Sequence, residues 1–265
     1  MITKRSLKNA FLPNRTVDKT TALVLVLFWL GLAIVAWVAS PFASLPGPGE
    51  VWRALGNLWM EGGMAPELFT TLKLILHALA LTIVISMLLS YATVLAVFRP
   101  MVEAVSKLRF LGLTGLVVPF TLITGGGYEL KVWLLTFGMT TYFVTMMAGV
   151  VVEIPRENFD HMRALGASEL RILWEVVILG TVDKALEVLR QNIAIGWTMI
   201  TMVEGISRAE GGLGAMILNQ NKHFRLAEVY AILFVILIVG LILDYAMGMI
   251  SRAACPYANL ERVRR

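Results

Sequence analysis

Long apolar segments separated by short polar connections run through most of the chain and predict an all-α, polytopic membrane protein. A membrane-spanning helix needs about 20 consecutive apolar residues, and six segments suggest spans. The third is short and contains Gly112, Gly115 and Pro119, which favours a tilted or broken helix. The six predicted spans are approximately residues 21–40, 69–98, 110–124, 132–152, 185–203 and 227–250.

Basic residues are distributed unevenly over the connections between these spans. Sixteen Lys and Arg residues lie in the two terminal tails and in the connections after the second and fourth spans, against five in the alternate connections. Because Lys and Arg accumulate on the cytoplasmic side, both termini are predicted to be cytoplasmic. The first span is predicted to be a retained anchor, since it is longer than a signal-peptide core and Pro41 follows the only small-residue cleavage site.

The composition agrees with a lipid-embedded chain. Hydrophobic residues make up 58% of the 265 residues and charged residues 15%, below the ~25% of soluble domains. The net charge of +5 is attributed to loop topology, so no nucleic-acid partner is expected. The single cysteine, Cys255, excludes an internal disulfide and a Cys-rich metal site, and no metal or other cofactor is expected.

We divide the chain into three parts. Residues 1–66 comprise the N-terminal cytoplasmic tail, the first span and an outer loop. Residues 67–255 form the core, and residues 256–265 form a basic C-terminal tail.

A polar segment, residues 155–175, interrupts the apolar pattern between the fourth and fifth spans. Pro155 suits a helix start, with Asn158 as a candidate N-cap. Phe159 and Met162 share one side of the predicted helix. Two interpretations remain open: an amphipathic loop packed on its own bundle, or a knob that inserts into a groove on a cytosolic partner.

A second helix is predicted to follow a sharp corner in this segment. Gly166 can end the first helix in the left-handed conformation, and Ser168 can cap the next one, with Glu169 in its first turn. The apolar stripe that predicts this second helix consists of Leu170, Leu173, Trp174 and Val177.

The polar segment resembles the EAA loop of ABC-importer permeases. Asp160, His161 and Met162 stand at the positions of the Glu-Ala-Ala that gives the loop its name, and Gly180 stands where the family usually has Pro. The residues that match the pattern are Arg163, Leu165, Gly166, Ala167 and Ser168.

The resemblance extends over most of residues 45–252 and is to the nitrate/sulfonate/taurine branch, which also handles bicarbonate. LPGPGEVWRAL (45–55), GWTMITMVEGISRAEGGLGAMIL (196–218) and LIVGLILD (237–244) are similar to that branch in order and spacing. The chain departs from it around the third span, where a Pro-rich segment is reduced to Pro100 and Pro119.

The resemblance implies a type I ABC-importer permease fold with a cytoplasmic coupling helix, in a bacterial inner membrane. The subunit would be non-catalytic and would form the path of a small solute, such as nitrate, a sulfonate, taurine or bicarbonate. The implied partners are two cytosolic ABC ATPase subunits, an extracytoplasmic solute-binding protein and a second permease copy, with a homodimer favoured. The implied ATPase-coupling residues are Phe159, Asp160, His161, Met162, Arg163, Leu165, Gly166, Ala167 and Ser168.

Three ionisable residues near the outer ends of spans are candidates for the translocation path or an outer gate. Lys73 and His77 lie four residues apart on one helix face and could attract an anion, although snorkelling to the interface is the favoured alternative. For Glu204 a hydrated helix end is favoured over a gate. Asp244 is expected to form a local pair or to reach interfacial water.

Two other classes of protein fit the sequence less well. A membrane-embedded enzyme needs converging catalytic groups, whereas His77, His161 and His223 lie on different segments. A non-ABC channel subunit has no use for a capped cytosolic knob. The glycines at 211, 212 and 214 are interpreted as a turn before a short outer helix.

Overall fold

Helices form the regular structure of the chain. The computed structural model describes residues 12, 17–42 and 45–256, and no strand occurs among them. The all-α prediction is therefore confirmed. The basic tails predicted at the two ends lie almost wholly outside the described residues.

We number the α-helices in chain order. They are α1 Lys19–Val38, α2 Pro48–Met60, α3 Met64–Ala92, α4 Arg99–Lys107, α5 Val117–Thr124, α6 Gly127–Val152, α7 Arg156–Ala164, α8 Glu169–Ile172, α9 Val182–Ile206, α10 Leu213–Lys222 and α11 Leu226–Ala254. Short 3-10 turns are Ala96–Phe98, Leu108–Phe110, Leu113–Leu116, Leu179–Thr181 and Arg208–Glu210, and a π-helical turn is Leu173–Ile178.

Four described helices, α1, α3, α6 and α11, are long and apolar enough to cross a membrane. A fifth span results if Ala96–Phe110 and Leu113–Thr124, which meet at 107°, are counted together. The chain is thus bent at Gly112, inside the third predicted span, where the Gly and Pro residues favour a tilted or broken helix. The fifth predicted span is one helix, α9. Charged and amide side chains in its first half lower its hydropathy, so it is not among the helices that are apolar enough to cross a membrane by composition alone.

The prediction that the second span reaches residue 98 is wrong. Helix α3 ends at Ala92, six residues earlier. The Thr93 hydroxyl donates to the Ser90 carbonyl and Arg99 Nε donates to the Thr93 carbonyl, so side chains satisfy the end of the helix. Pro100 then lies in the first turn of α4, the position where proline is compatible with a helix start.

Helix α6 occupies the centre of the bundle. Half of its residues are buried, and α3 and α9 pack against it. Helix α11 packs on α9, α10 and α2. Helix α1 is peripheral, with Thr21 its one buried residue, which is typical of a helix covered by lipid.

The two ends of the bundle differ in chemistry. At one, which we call the glycine end, Gly63 precedes α3, Gly125 and Gly126 precede α6, and Gly211 and Gly212 precede α10; all five have positive φ. The other end, which we call the arginine end, contains α4, the segment from α7 to Thr181 and the last turns of α11.

Candidate functional site

The polar segment forms a helix that projects from the arginine end. Helix α7 begins directly after Pro155, so Asn158 lies inside the helix and makes no cap. The prediction of Asn158 as N-cap is therefore wrong, since Pro155 sets the start one turn earlier. None of the nine residues of α7 is buried. Phe159 and Met162 are half-buried on one side, and Leu165 is 69% exposed.

Gly166 makes the corner after α7. Its φ is +77°, and its N–H donates to the Arg163 carbonyl while the Ala167 N–H donates to the Met162 carbonyl. This arrangement satisfies carbonyls that a helix end otherwise leaves without partners. Ser168 then accepts a hydrogen bond from the Arg171 N–H, which confirms the predicted cap of α8.

An ion pair closes the corner. Arg163 Nε and Nη2 donate to the two carboxylate oxygens of Glu169 at 2.9 and 3.2 Å, and Arg163 Nη1 reaches Asp160 at 3.4 Å. The hydrogen bond to Glu169 raises the pKa of Arg163 above its ordinary value. The same contact lowers the pKa of Glu169. Both residues are exposed, so the pair orders the corner more than it stabilises the fold.

The connection from the corner to α9 is not the single α-helix that the sequence predicts. Four residues of α8 are followed by the π-helical turn and then by the 3-10 turn that ends at Thr181. Ile172 and Val177, five residues apart, are the buried pair, whereas Leu170 and Trp174 of the predicted stripe are exposed. A π turn places residues i and i+5 on one side, which explains the changed face.

A network of buried polar groups joins three helices at the glycine end. Glu204 of α9 is fully buried, so the interpretation of a hydrated helix end is wrong. Its carboxylate accepts hydrogen bonds from the Thr71 hydroxyl at 2.6 Å and from the Gly214 N–H at 2.7 Å. The Thr71 oxygen in turn accepts from the Leu213 N–H at 2.9 Å.

Two further charged side chains hold the loop before α10. Lys131 of α6 is 1% exposed, and its Nζ donates to the Gly211 carbonyl at 2.8 Å. Glu67 of α3 accepts a hydrogen bond from the Gly212 N–H. The buried Glu204 and Lys131 and the half-buried Glu67 are thus each hydrogen-bonded, as stability in a low dielectric requires.

The glycines of this loop are needed for space as well as for conformation. A Cβ on Gly212 would overlap the carboxylate of Glu204, and one on Gly214 would overlap the backbone of Thr201. The predicted turn before a short helix is confirmed, because positive φ at Gly211 and Gly212 leads directly into α10.

Lys73 and His77 are brought together with Tyr128 and not with Glu204. Lys73 Nζ lies 5.5 Å from the centre of the Tyr128 ring, and the Tyr128 hydroxyl is 3.4 Å from His77 Nδ1. Lys73 and His77 are exposed, while Glu204 is enclosed. The glycine end therefore contains a buried network and a separate exposed cationic and aromatic group.

Asp244 is paired with the neighbouring helix, as one of the two sequence interpretations expects. Arg190 of α9 donates to both of its carboxylate oxygens, at 2.7 and 2.6 Å. Glu187 lies 4.0 Å from Arg190. This pair joins α9 to α11 nearer the arginine end.

Sequence reasoning missed four residues of the glycine end: Glu67, Thr71, Tyr128 and Lys131. Glu67 and Lys131 gave a signal, since each is a charge close to the start of an apolar run. Thr71 and Tyr128 lie in the first turns of α3 and α6 without such a signal, and only tertiary packing reveals the partners of all four.

Known proteins similar in sequence cover almost the whole chain. The taurine transport system permease protein TauC of Escherichia coli K12 is 24% identical over 252 residues, which is 91% of this chain and 90% of TauC. A probable ABC transporter permease of Brucella melitensis is 24% identical over 243 residues, 88% of this chain and 97% of that protein. No known protein-family profile matches.

Solved structures share the fold. An inward-facing structure of the MetNI methionine ABC transporter matches with a TM-score of 0.66 and 19% identity, over 73% of this chain and 98% of the matched one. An amino acid ABC transporter crystallised with histidines matches with a TM-score of 0.60 and 15% identity, over 71% and 92%. The chain has the fold of an ABC-importer permease and is similar in sequence to permeases of that kind. The type I permease fold that the resemblance implied is confirmed.

Several consequences follow from this fold and this similarity. It is a multi-pass membrane protein. It is not an enzyme, since ATP hydrolysis in such transporters belongs to a separate subunit. The permeases that it resembles work with ATPase and solute-binding-protein partners.

Proposed function

We propose that this permease, with a second copy of itself, forms the translocation path of a bacterial inner-membrane importer for a small sulfonate-type anion. Two cytosolic ATPase subunits receive α7, and an extracytoplasmic binding protein delivers the solute at the glycine end. Both termini are then cytoplasmic, in agreement with the excess of basic residues in the corresponding connections.

The exposed position of α7 carries this proposal. Helix α7 has no buried residue, so its own bundle gives it little support. It is held instead by the Gly166 corner, the Ser168 cap and the Arg163–Glu169 pair. Phe159 and Met162 remain half-buried and are suited to fill a groove on a partner. This geometry disfavours the alternative of a loop packed on its own helices.

Coupling through this helix requires differential binding. Shifting a two-state bundle from 1:99 to 99:1 takes about 5.5 kcal/mol. Phe159 and Met162 are already half-buried, so completing their burial contributes about half of the 1.5–3 kcal/mol that full burial of an exposed side chain gives. A groove that fits α7 in one nucleotide state therefore supplies part of the required free energy. His161, Leu165 and Ala167 lie next to these anchors on the proposed contact surface.

A photo-cross-linking experiment tests the coupling role. A photoreactive amino acid at position 159 is expected to capture an ABC ATPase in intact cells, whereas the same probe at Val152, in the last turn of α6, is expected to label the ATPase weakly or not at all. Equal labelling from both positions, or labelling of the permease alone at position 159, would overturn the role of α7. Gly166→Pro provides a second measurement: proline excludes a φ of +77°, so ATPase association should be lost while membrane insertion remains.

The solute class rests on two observations. TauC is named as a taurine permease, and this chain exposes Lys73, His77 and the Tyr128 hydroxyl close together. An ammonium group, an imidazole and a hydroxyl are donors suited to the oxygens of a sulfonate. Glu204 has a supporting role in this proposal, since its carboxylate is enclosed and holds the loop before α10.

Uptake measurements test the solute class. Cells that express the whole transporter should accumulate labelled taurine or a short alkanesulfonate, with nitrate and bicarbonate as competitors. Lys73→Gln should raise the KM for uptake, and the matched control Lys222→Gln, an equal charge change on the exposed end of α10, should not. Uptake of bicarbonate or nitrate in preference to sulfonates would contradict the proposed class.

A further inference from the structure

Helix α2, at the glycine end, presents three faces of different chemistry. The first is buried against α11 and α3 and consists of Val51, Ala54 and Leu58. The second is polar and exposed and consists of Glu50, Arg53, Asn57 and Glu61. The third is apolar and largely exposed and consists of Trp52, Leu55, Gly56, Trp59 and Met60. At roughly 100° per residue, the three sets occupy separate sectors of the helix.

The third face forms one wall of an open cavity of about 450 Å³. Leu68 of α3 and Val235, Ile238 and Val239 of α11 form the rest of the lining, so every side chain around the cavity is apolar. Its volume lies within the ~300–1,000 Å³ of small-molecule sites. At ~30 Å³ for a group of the size of a water molecule, it has room for on the order of fifteen such groups. This number is comparable with the number of methylene groups in one lipid acyl chain.

Gly56 keeps this cavity open. A Cβ at Gly56 would meet no heavy atom within 4 Å, so packing does not demand glycine there. A glycine in the middle of a helix destabilises that helix relative to alanine. Its place between Trp52 and Trp59 therefore points to space that something other than this chain fills.

We propose that α2 lies in the membrane interface at the glycine end and that the cavity holds an acyl chain of a membrane phospholipid. Helices of this kind direct a polar face to water and an apolar face into the boundary of headgroups and acyl chains, and tryptophan is enriched at that depth. The polar and tryptophan-bearing faces of α2 match this orientation.

The cavity is continuous with a surface that lipid covers in a membrane protein. Ile238 lines it and is 40% exposed, and Leu237 and Leu241 on the same helix are 57% and 61% exposed. A lipid lying against α11 can therefore extend one chain beneath Trp52 and Trp59. The lining contains no charged side chain to neutralise a sulfonate or another anion, and its polar side-chain groups are the indole N–H groups of Trp52 and Trp59. The transported solute therefore does not fit this site.

Tryptophan fluorescence tests the proposal on the full chain, purified with its associated subunits and reconstituted into phosphatidylcholine brominated in mid-chain. Bromine quenches only indoles that it contacts. Trp52→Phe and Trp59→Phe should each remove a strongly quenched component from the emission of the transporter, to which this chain contributes seven tryptophans per copy. If neither substitution changes the quenched fraction, α2 does not lie against acyl chains and the proposal fails.

A cavity-filling variant provides an independent measurement. Gly56→Leu places a side chain in the cavity, and Gly49→Leu is the matched control, because Gly49 is exposed on the same helix, has nothing within 4 Å of its Cβ and does not line the cavity. Native mass spectrometry after detergent extraction should show a phospholipid retained by the unaltered chain and by Gly49→Leu. Gly56→Leu should lower the retained fraction by about tenfold.

Two results would overturn the assignment. One is equal phospholipid retention by Gly56→Leu and Gly49→Leu. The other is a covalent dimer formed through a photoreactive group at position 59, which would show that a second copy of the chain covers this face. Both are distinct from failure of the proposed solute or ATPase contacts, because neither readout involves uptake.

Discussion

The Thr71 hydroxyl on α3 donates a 2.6 Å hydrogen bond to the Glu204 carboxylate on α9, across 133 positions of sequence. Both side chains are buried. The Thr71 oxygen also accepts from the Leu213 N–H, and Glu204 also accepts from the Gly214 N–H. One pair of side chains therefore connects two helices to the start of a third, at the end of the bundle where we place solute entry.

Thr71→Val should destabilise this end of the permease. The substitution keeps the shape of the side chain but removes the donor to Glu204 and the acceptor for the Leu213 N–H. A buried group left without a partner costs about 1–3 kcal/mol, and more where it is charged. The purified transporter should therefore melt at a lower temperature, as followed by thermal unfolding in detergent.

Thr70→Val is the control for that measurement. Thr70 is only partly buried and donates to the Pro66 carbonyl of its own helix. If the two variants had the same melting temperature, the hydrogen bonds of Thr71 would not stabilise the protein more than the bond of Thr70 within its own helix.

Gly214→Ala should destabilise the protein more than the addition of a single methyl group usually does. The added methyl group would overlap the backbone of Thr201, and backbone in a packed helix pair yields less than the end of a flexible side chain. Overpacking of this kind costs typically ~1–3 kcal/mol and occasionally more. Loss of folded protein from detergent extracts, or a lower melting temperature, would be the measured effect.

Gly149→Ala is the control that separates steric overlap from the general effect of replacing glycine by alanine in a helix. Gly149 lies in α6 with nothing within 4 Å of its Cβ, and alanine in a helix is favoured over glycine by roughly 0.5–1 kcal/mol. This variant should be as stable as the unaltered protein or more so. A Gly214→Ala protein with equal stability would show that α9 and α10 separate at little cost.

Much of the fold could be predicted because the length and hydropathy of a span are local properties. The predicted spans at residues 21–40 and 227–250 differ from α1 and α11 by only a few residues. The end of α3 at Ala92 could not be predicted, since the sequence remains apolar to Phe98 and the helix stops through side-chain bonds to its own backbone. The π turn after α8 also has no signature in the hydropathy pattern.

The candidate sites divide in the same way. The corner at Gly166 and the Ser168 cap follow from local backbone chemistry, and both were predicted. The bond from Gly212 to Glu67 joins residues 145 apart, and that from Lys131 to Gly211 joins residues 80 apart. Neither partner can be chosen from spacing, because the tertiary packing of α3, α6 and α9 decides which polar groups share the buried space.

Reversing the charges of Arg163 and Glu169 tests whether their pairing orders the coupling corner. Arg163→Glu alone places a carboxylate beside Glu169 and Asp160, and should weaken the corner by like-charge repulsion. Arg163→Glu combined with Glu169→Arg restores opposite charges and should recover much of the order. Hydrogen exchange at the Gly166 and Ala167 amides, which close the end of α7, should be a few-fold faster in the single variant, since an exposed pair contributes little.

The double variant decides the interpretation. Recovered protection together with recovered ATPase association would assign the effect to the pair. If protection recovers but association does not, Arg163 itself contacts the ATPase. If the single variant exchanges at the original rate, the pair has no ordering role.

Titration of Glu169 should differ between the unaltered protein and Arg163→Gln. The hydrogen bond from Arg163 lowers the pKa of Glu169 below its ordinary value of 4.5. A carboxyl whose folded pKa is depressed contributes order that is fully present above the ordinary value and is lost as the pH falls through the folded pKa. Carbon-13 NMR of the glutamate carboxyls should show the Glu169 midpoint below 4.5, and Arg163→Gln should move it upward. Identical midpoints in the two proteins would mean that the Arg163–Glu169 bond is not formed in solution, and the corner at Gly166 would then depend on its backbone hydrogen bonds alone.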